Sequence, residues 1–93
     1  MVHSAAVRLV LRGRVQGVNF RDFAVREAGV MGLTGYVRNM PDGSVEVTAE
    51  GRRSVLLHFI EELMSGPPGA KVIATDTEWL EPSGIYPDFS IRD

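Results

Sequence analysis

The apolar residues of this chain change their spacing in a set order, and that order restricts the fold more than any single residue does. Val7, Leu9 and Leu11 alternate with Arg8, Val10 and Arg12, which predicts a first strand with one buried face. From Phe20 the apolar positions become Phe20, Phe23, Ala24, Ala28 and Met31, the stripe of a helix. Asn19 stands where a helix takes its N-cap, and Asp22 falls in the first turn, where negative charge suits the dipole. Gly32 is placed to end the helix. Gly29 inside it costs about 1 kcal/mol relative to alanine; the sequence gives no firm reason for it, and close packing on a sheet would be one. Residues 34–39 read as a second strand, and Met40-Pro41-Asp42-Gly43 as a turn preset by proline and glycine. Residues 44–50 alternate again, giving the hairpin partner. Val55, Leu56, Phe59, Ile60, Leu63 and Met64 make a second helical stripe, stopped by Gly66-Pro67-Pro68-Gly69. Residues 71–80 form a fourth strand, residues 81–84 a turn, and Phe89 and Ile91 a short last strand.

Strand, helix, strand, strand, helix, strand is the order of two right-handed crossovers and one hairpin. It predicts an α+β chain with the ferredoxin-like α/β sandwich plan, βαββαβ plus a short extra strand. Two helices pack on one face of an antiparallel sheet. A length of 93 residues makes one domain, residues 1–93. Residues 1–6, with His3 among them, are expected to be a loose tail.

That fold hosts many activities, so residue types carry the next step. The chain has no cysteine, which removes disulfides, thiol nucleophiles, cysteine zinc sites and iron–sulfur clusters. Its apolar content of 44% with a net charge of −2 argues against disorder. No apolar run approaches a membrane span, and the N-terminus lacks a secretory pattern. A soluble cytoplasmic monomer is expected, with no membrane partner.

The charge is uneven. Residues 1–53 hold eight arginines against five acids, a net +3. Residues 54–93 hold Lys71 and Arg92 against seven acids, a net −5. Arginine's planar fork of donors suits phosphate and carboxylate. A nucleic-acid footprint wants a basic domain overall, so no nucleic-acid partner is expected. A small anion held by the first half fits the imbalance, as does an ordinary solvated surface.

The segment Gly13-Arg14-Val15-Gln16-Gly17-Val18-Asn19-Phe20-Arg21 runs from a strand through glycines into a helix. Unpaired N–H groups at a helix start, together with the dipole, make an anion site. Arg21 falls in the first turn beside the same place. Many such junctions bind nothing. The spacing matches neither a triphosphate P-loop nor a dinucleotide fingerprint. Gly35-Tyr36-Val37-Arg38-Asn39 closes the second strand, which runs the same way as the first because a crossover joins them. Asn39 therefore ends near the first loop, where its carboxamide can orient a water; as a residue before Pro41 it also reads as a turn residue. His58 falls on the polar face of the second helix, a solvated histidine. Arg14 and Arg38 either add field to the site or are ordinary sheet-end arginines. Trp79 and Tyr86 read as packing residues. No pair of residues has the spacing of a metal site.

Taken together, Gly13-Arg14-Val15-Gln16-Gly17-Val18-Asn19-Phe20-Arg21, Gly35-Tyr36-Val37-Arg38-Asn39 and Pro41-Asp42-Gly43-Ser44-Val45-Glu46 resemble the acylphosphatase family. The likeness runs on through Gly66-Pro67-Pro68-Gly69-Ala70 to Phe89 and Ile91. Two positions depart from the family pattern: Tyr36 stands where tryptophan is frequent, and Asn19 fills a variable slot. The resemblance implies the ferredoxin-like sandwich and a hydrolase that cleaves acyl phosphates to a carboxylate and inorganic phosphate, without metal or cofactor. It implies Arg21 as the phosphate-binding arginine and Asn39 as the residue that positions the attacking water. The loop Val15, Gln16, Gly17, Val18, Asn19 and Phe20 is implied as the backbone cradle. Inorganic phosphate or sulfate is expected to bind there.

Three other functions belong to folds or cradles of this kind. An RNA-recognition domain needs aromatics on the third strand, and residues 44–50 have none. A regulatory anion-binding domain uses the same cradle without catalysis. A unit of a larger carbamoyl-transfer machine is the third, and a short chain that begins with methionine favours the free-standing enzyme.

Overall fold

The structure is a computed structural model that describes residues 4–93. Its elements follow the order β1 (Ser4–Arg14), α1 (Phe20–Val30), β2 (Thr34–Asn39), β3 (Val45–Arg52), α2 (Arg53–Ser65), β4 (Lys71–Leu80) and β5 (Phe89–Ile91). The strands lie side by side as β4-β1-β3-β2-β5. This is the predicted sandwich, with two corrections at the chain's ends.

The first concerns the tail. β1 begins at Ser4, and Ser4, Ala5 and Ala6 pair with Arg52, Gly51 and Glu50 of β3. Ala6 is buried. Small apolar side chains there extend the ladder before the Val7 alternation starts. Residues 1–3 of the expected tail, His3 among them, lie outside the described residues.

The second concerns the sheet, which is mixed and not wholly antiparallel, because β5 runs parallel to β2. The reason is the path of residues 81–88. β4 leaves the sheet at the end where β2 begins, since both register against that end of their antiparallel neighbours. The connection crosses that end, held where Glu50 accepts hydrogen bonds from the N–H groups of Ser83 and Gly84 and from the Ser83 hydroxyl. Gly35 N–H donating to the Asp88 carbonyl then starts β5 beside β2. A strand that begins at that end can only run away from it, which is the direction of β2.

Alternation sorts the two faces. Val7, Leu9, Leu11, Val37, Val45, Val47 and Ala49 point toward the helices and are buried. Phe20, Ala24 and Ala28 of α1 and Leu56, Phe59 and Leu63 of α2 close over them. Phe59 meets Phe89 edge-on, with ring centroids 5.8 Å apart, so even the three-residue β5 is anchored to α2. Each large apolar side chain so buried contributes roughly 1.5–3 kcal/mol.

The opposite face is polar. Glu46 is buried there and accepts from Arg8 at 2.7 Å, Arg38 at 2.6 Å and the Tyr36 hydroxyl at 3.1 Å, tying β1, β2 and β3 together. Burial alone raises a carboxyl's pKa; here the donors from Arg38, Arg8 and Tyr36 outweigh it and hold Glu46 below its ordinary value.

Gly35 lets β2 lie this close to β3. Its φ is +141°, and a Cβ there would run into the Thr48 carbonyl. Close packing on the sheet is not the reason for Gly29: it is exposed, and a Cβ on it would meet nothing within 4 Å. Nothing in the structure explains it. α1 ends with Leu33 N–H donating to Ala28 and Gly32 N–H donating to Gly29, the double closure that satisfies the last carbonyls. Among the described residues no helix is long and apolar enough to cross a membrane.

Candidate active site

β1 and β2 run in the same direction with β3 between them. Their C-terminal ends therefore share one end of the sheet, and the parallel β5 ends there too. The register of β1 against β4 shifts between Arg12 and Gly13, a bulge that turns the chain off the sheet and into the loop.

The loop alternates in its turn. Val15, Gly17 and Asn19 line a cavity of about 190 Å³, with Phe20, Arg21, Asp22, Asn39 and Ile91 completing its wall. Gln16 and Val18 do not line it. The Val18 side chain packs against the core, and the Gln16 amide reaches across to the β2–β3 turn. Gly17 has a φ of 75°, and a Cβ on it would meet no atom within 4 Å. Its residue type is set by backbone conformation and by the open side that it presents to the cavity.

Asn19 occupies the N-cap position predicted for it but not in the usual way. Its φ of 62° is left-handed, and its side chain makes no cap hydrogen bond. It is the one non-glycine residue with positive φ among the described residues. Its carbonyl accepts the first helical bond, from Phe23 N–H at 3.0 Å. The first-turn N–H groups of α1 thus get no cap from Asn19, and left-handed residues in such loops turn successive N–H groups toward one point. A volume of about 190 Å³ holds a phosphate-sized anion with waters beside it, since liquid water takes about 30 Å³ per molecule.

Arg21, half-buried, has no acidic partner among the described residues, whereas Arg8 and Arg38 pair with Glu46 and Arg12 with Asp42 and Asp76. Asn39 shares the helix-facing parity of Val37, which puts it beside the start of α1. Its carboxamide oxygen is buried and has no hydrogen-bond partner. The Thr48 and Thr75 hydroxyls are likewise buried without a partner, but of the three only Asn39 lines the cavity. Tyr36 and Arg38 have the other parity, and Arg38 is held on the far face by Glu46, away from the cavity. Arg14 is exposed and lines no part of it.

Asp42 and Glu50 serve the structure. Asp42 accepts from the Ser44 hydroxyl and N–H and from Arg12, which together hold its carboxyl down to about 2 and lock the β2–β3 turn behind Asn39. Glu50 is pushed up by burial but brought below its ordinary value by the donors from Ser83 and Gly84. His58 is exposed on α2, 4.0 Å from Glu62, as its position on the polar face predicts. Trp79 is half-buried under the Arg53 guanidinium, and Tyr86 packs on Tyr36. Among the described residues no three histidine or acidic side chains stand close enough to hold a metal ion.

The Acylphosphatase family model matches residues 7–91, which takes in all but the first three residues of β1, every other element and the whole wall of the cavity. The chain belongs to the acylphosphatase family. It is 45% identical over 87 residues to an acylphosphatase of Dehalococcoides mccartyi, covering 92% of this chain and 96% of that one. It is 41% identical over 92 residues to an acylphosphatase of Anaeromyxobacter dehalogenans, covering 99% of each. The crystal structure of acylphosphatase from Bacillus subtilis superposes with a TM-score of 0.92 at 37% identity, covering 96% of this chain and 99% of that one. As an acylphosphatase the chain is a hydrolase of acyl phosphates.

Two features of this acylphosphatase were not read from its sequence. Ile91 lines the cavity because β5 is parallel to β2, and no local signal in a three-residue strand says which edge it joins. The sequence marks Gln16 only as part of a backbone cradle; its place beside Gly17, which lines the cavity, is the available signal.

Proposed function

We propose that this acylphosphatase cleaves the phosphorus–oxygen bond of small acyl phosphates by in-line attack of a water held by Asn39. Arg21 and the backbone N–H groups of Val15, Gln16, Gly17, Val18, Asn19 and Phe20 hold the phosphoryl group. The observation that carries this reading is that Arg21, without an acidic partner, and Asn39, with its carboxamide oxygen unpaired, line one cavity from two separate segments.

The chemistry suits these groups. The bond from phosphorus to the acyl oxygen breaks, and its electron pair leaves on a carboxylate. The conjugate acid of that leaving group has a pKa of roughly 4, so no general acid is required near neutral pH. The water oxygen bonds to phosphorus, and its proton passes to a phosphate oxygen, giving inorganic phosphate. Charge in such a loose transition state spreads over the equatorial oxygens. A guanidinium fork and fixed N–H dipoles stabilise it without reorganising. Holding the water in line supplies the remaining advantage, that of position.

Ile91, exposed at the wall, gives the cavity an apolar side for the acyl group. Inorganic phosphate and sulfate bind the same cradle as competitive inhibitors. The working enzyme is a cytoplasmic monomer that takes no cofactor; fractionation of cells and sedimentation of the purified chain check location and state.

The test is the hydrolysis of benzoyl phosphate with a strong chelator present. The wild-type chain keeps its activity. Asn39→Ala lowers kcat about a hundredfold and leaves KM within about threefold, as expected for a group that handles water and not phosphate. A rise in KM alone moves Asn39 into a binding role, and loss of wild-type activity to the chelator brings a metal into the reaction.

A further inference from the structure

We infer that Gln16 is a positioning residue whose side chain sets the distance between the bound phosphoryl group and the water on Asn39; this rests on the roles given above to the cradle and to Asn39. Gln16 sits between Val15 and Gly17, both of which line the cavity. Its side chain turns the other way. Nε2 donates to the carbonyls of Met40 and Ser44, at 2.9 Å each.

Those carbonyls are not arbitrary points. Met40 follows Asn39 in the chain, and Ser44 precedes Val45, the residue paired with Asn39. They are also joined to each other's strands: Met40 N–H donates to Ser44 O at 2.8 Å, and Gly43 N–H donates to Met40 O at 3.1 Å. The carboxamide has two N–H hydrogens, and each meets one side of the turn mouth. Among the described residues no other hydrogen bond links residues 15–19 to residues 39–44. The other tie to this turn, Arg12 to Asp42, comes from β1 before the loop and is exposed at both ends.

The consequence is geometric. The loop's own left-handed residues shape the cradle, so phosphate binding does not need the Gln16 side chain. The relation of the cradle to Asn39 does. An in-line attack tolerates little displacement, and an error of about 1 Å in a reacting position costs up to roughly a hundredfold in rate.

The experiment is a double-mutant cycle on benzoyl phosphate hydrolysis, with the inhibition constant of inorganic phosphate measured for each protein. Gln16→Met keeps length and volume and removes both donors. We expect it to lower kcat about tenfold or more and to change the phosphate inhibition constant by less than about threefold. In the Asn39→Ala background the same change lowers kcat by less than about twofold, because nothing is left to position. A merely structural role weakens phosphate binding and kcat together and acts equally in both backgrounds, which overturns the inference. Should Gln16→Met fail to fold, Gln16→Asn, which keeps the amide but is one carbon short of the carbonyls, goes through the same cycle with the same expectation. A normal Gln16→Met beside a crippled Asn39→Ala overturns this inference alone. A normal Asn39→Ala overturns both it and the reading of Asn39 on which it rests.

Discussion

Arg21 lines the cavity and forms no ion pair among the described residues, although Asp22 shares the wall, while Arg8, Arg12 and Arg38 are each paired. A guanidinium kept this way is complementary to a dianion and packs little of the core. Arg21→Ala is therefore expected to reduce kcat/KM for benzoyl phosphate by about a thousandfold, while its thermal unfolding midpoint stays within a few degrees of wild type. An inactive protein with a collapsed midpoint would make Arg21 a folding residue instead. The meeting of Arg21 and Asn39 at one cavity was legible in the sequence because a strand–loop–helix junction and a parallel strand end converge by topology. The inward alternation of Val15, Gly17 and Asn19 was not, because a loop with two left-handed residues follows neither the strand nor the helix period.

At the scale of elements, the hairpin of β2 and β3 is what delivers Asn39. Its closeness depends on Gly35, where a Cβ would strike the Thr48 carbonyl and the φ of +141° disfavours any other residue. Gly35→Ala is expected to destabilise the fold by about 2–4 kcal/mol, read from urea unfolding. A change below about 0.5 kcal/mol would show that the two strands have room to part. The period of the apolar residues predicted both helices and the four long strands. It did not predict that β1 reaches back to Ser4 or that β5 lies parallel to β2. Ala5 and Ala6 are too small to mark a buried face in the sequence, and the place of β5 follows from the path of residues 81–88, held by Glu50 from a distant strand.

Across the whole molecule, three carboxylates on or near the sheet hold their protons less tightly than free side chains. Asp42 is held down to about 2 against an ordinary 3.8, by Ser44 first and then Arg12. Burial raises Glu46 and Glu50, and their donors more than reverse it, leaving both below an ordinary 4.5. The unfolded chain therefore binds more protons as pH falls through this range, so stability falls with pH there. The contribution is complete above about 4.5 and is lost below it, with that of Asp42 going between 3.8 and about 2. Glu46→Gln, which weakens the hydrogen bonds from two guanidiniums, is expected to cost about 1–3 kcal/mol at neutral pH and to flatten the acid limb of the urea-unfolding curve. Curves that run parallel from pH 7 to pH 3 would take Glu46 out of the acid response. The uneven charge read from the sequence resolves in part along the same lines: three of the eight first-half arginines, Arg8, Arg12 and Arg38, pair with carboxylates, and Arg21 is the arginine that lines the cavity.

The most direct measurement is a crystal structure of the chain soaked in phosphate or sulfate. The ion should lie in the cavity bounded by Val15, Gly17, Asn19 and Ile91, with the Arg21 guanidinium and the loop N–H groups donating to it and the Asn39 carboxamide within one water of it. An ion bound elsewhere, or one in the cavity with Arg21 and Asn39 turned apart, contradicts the account.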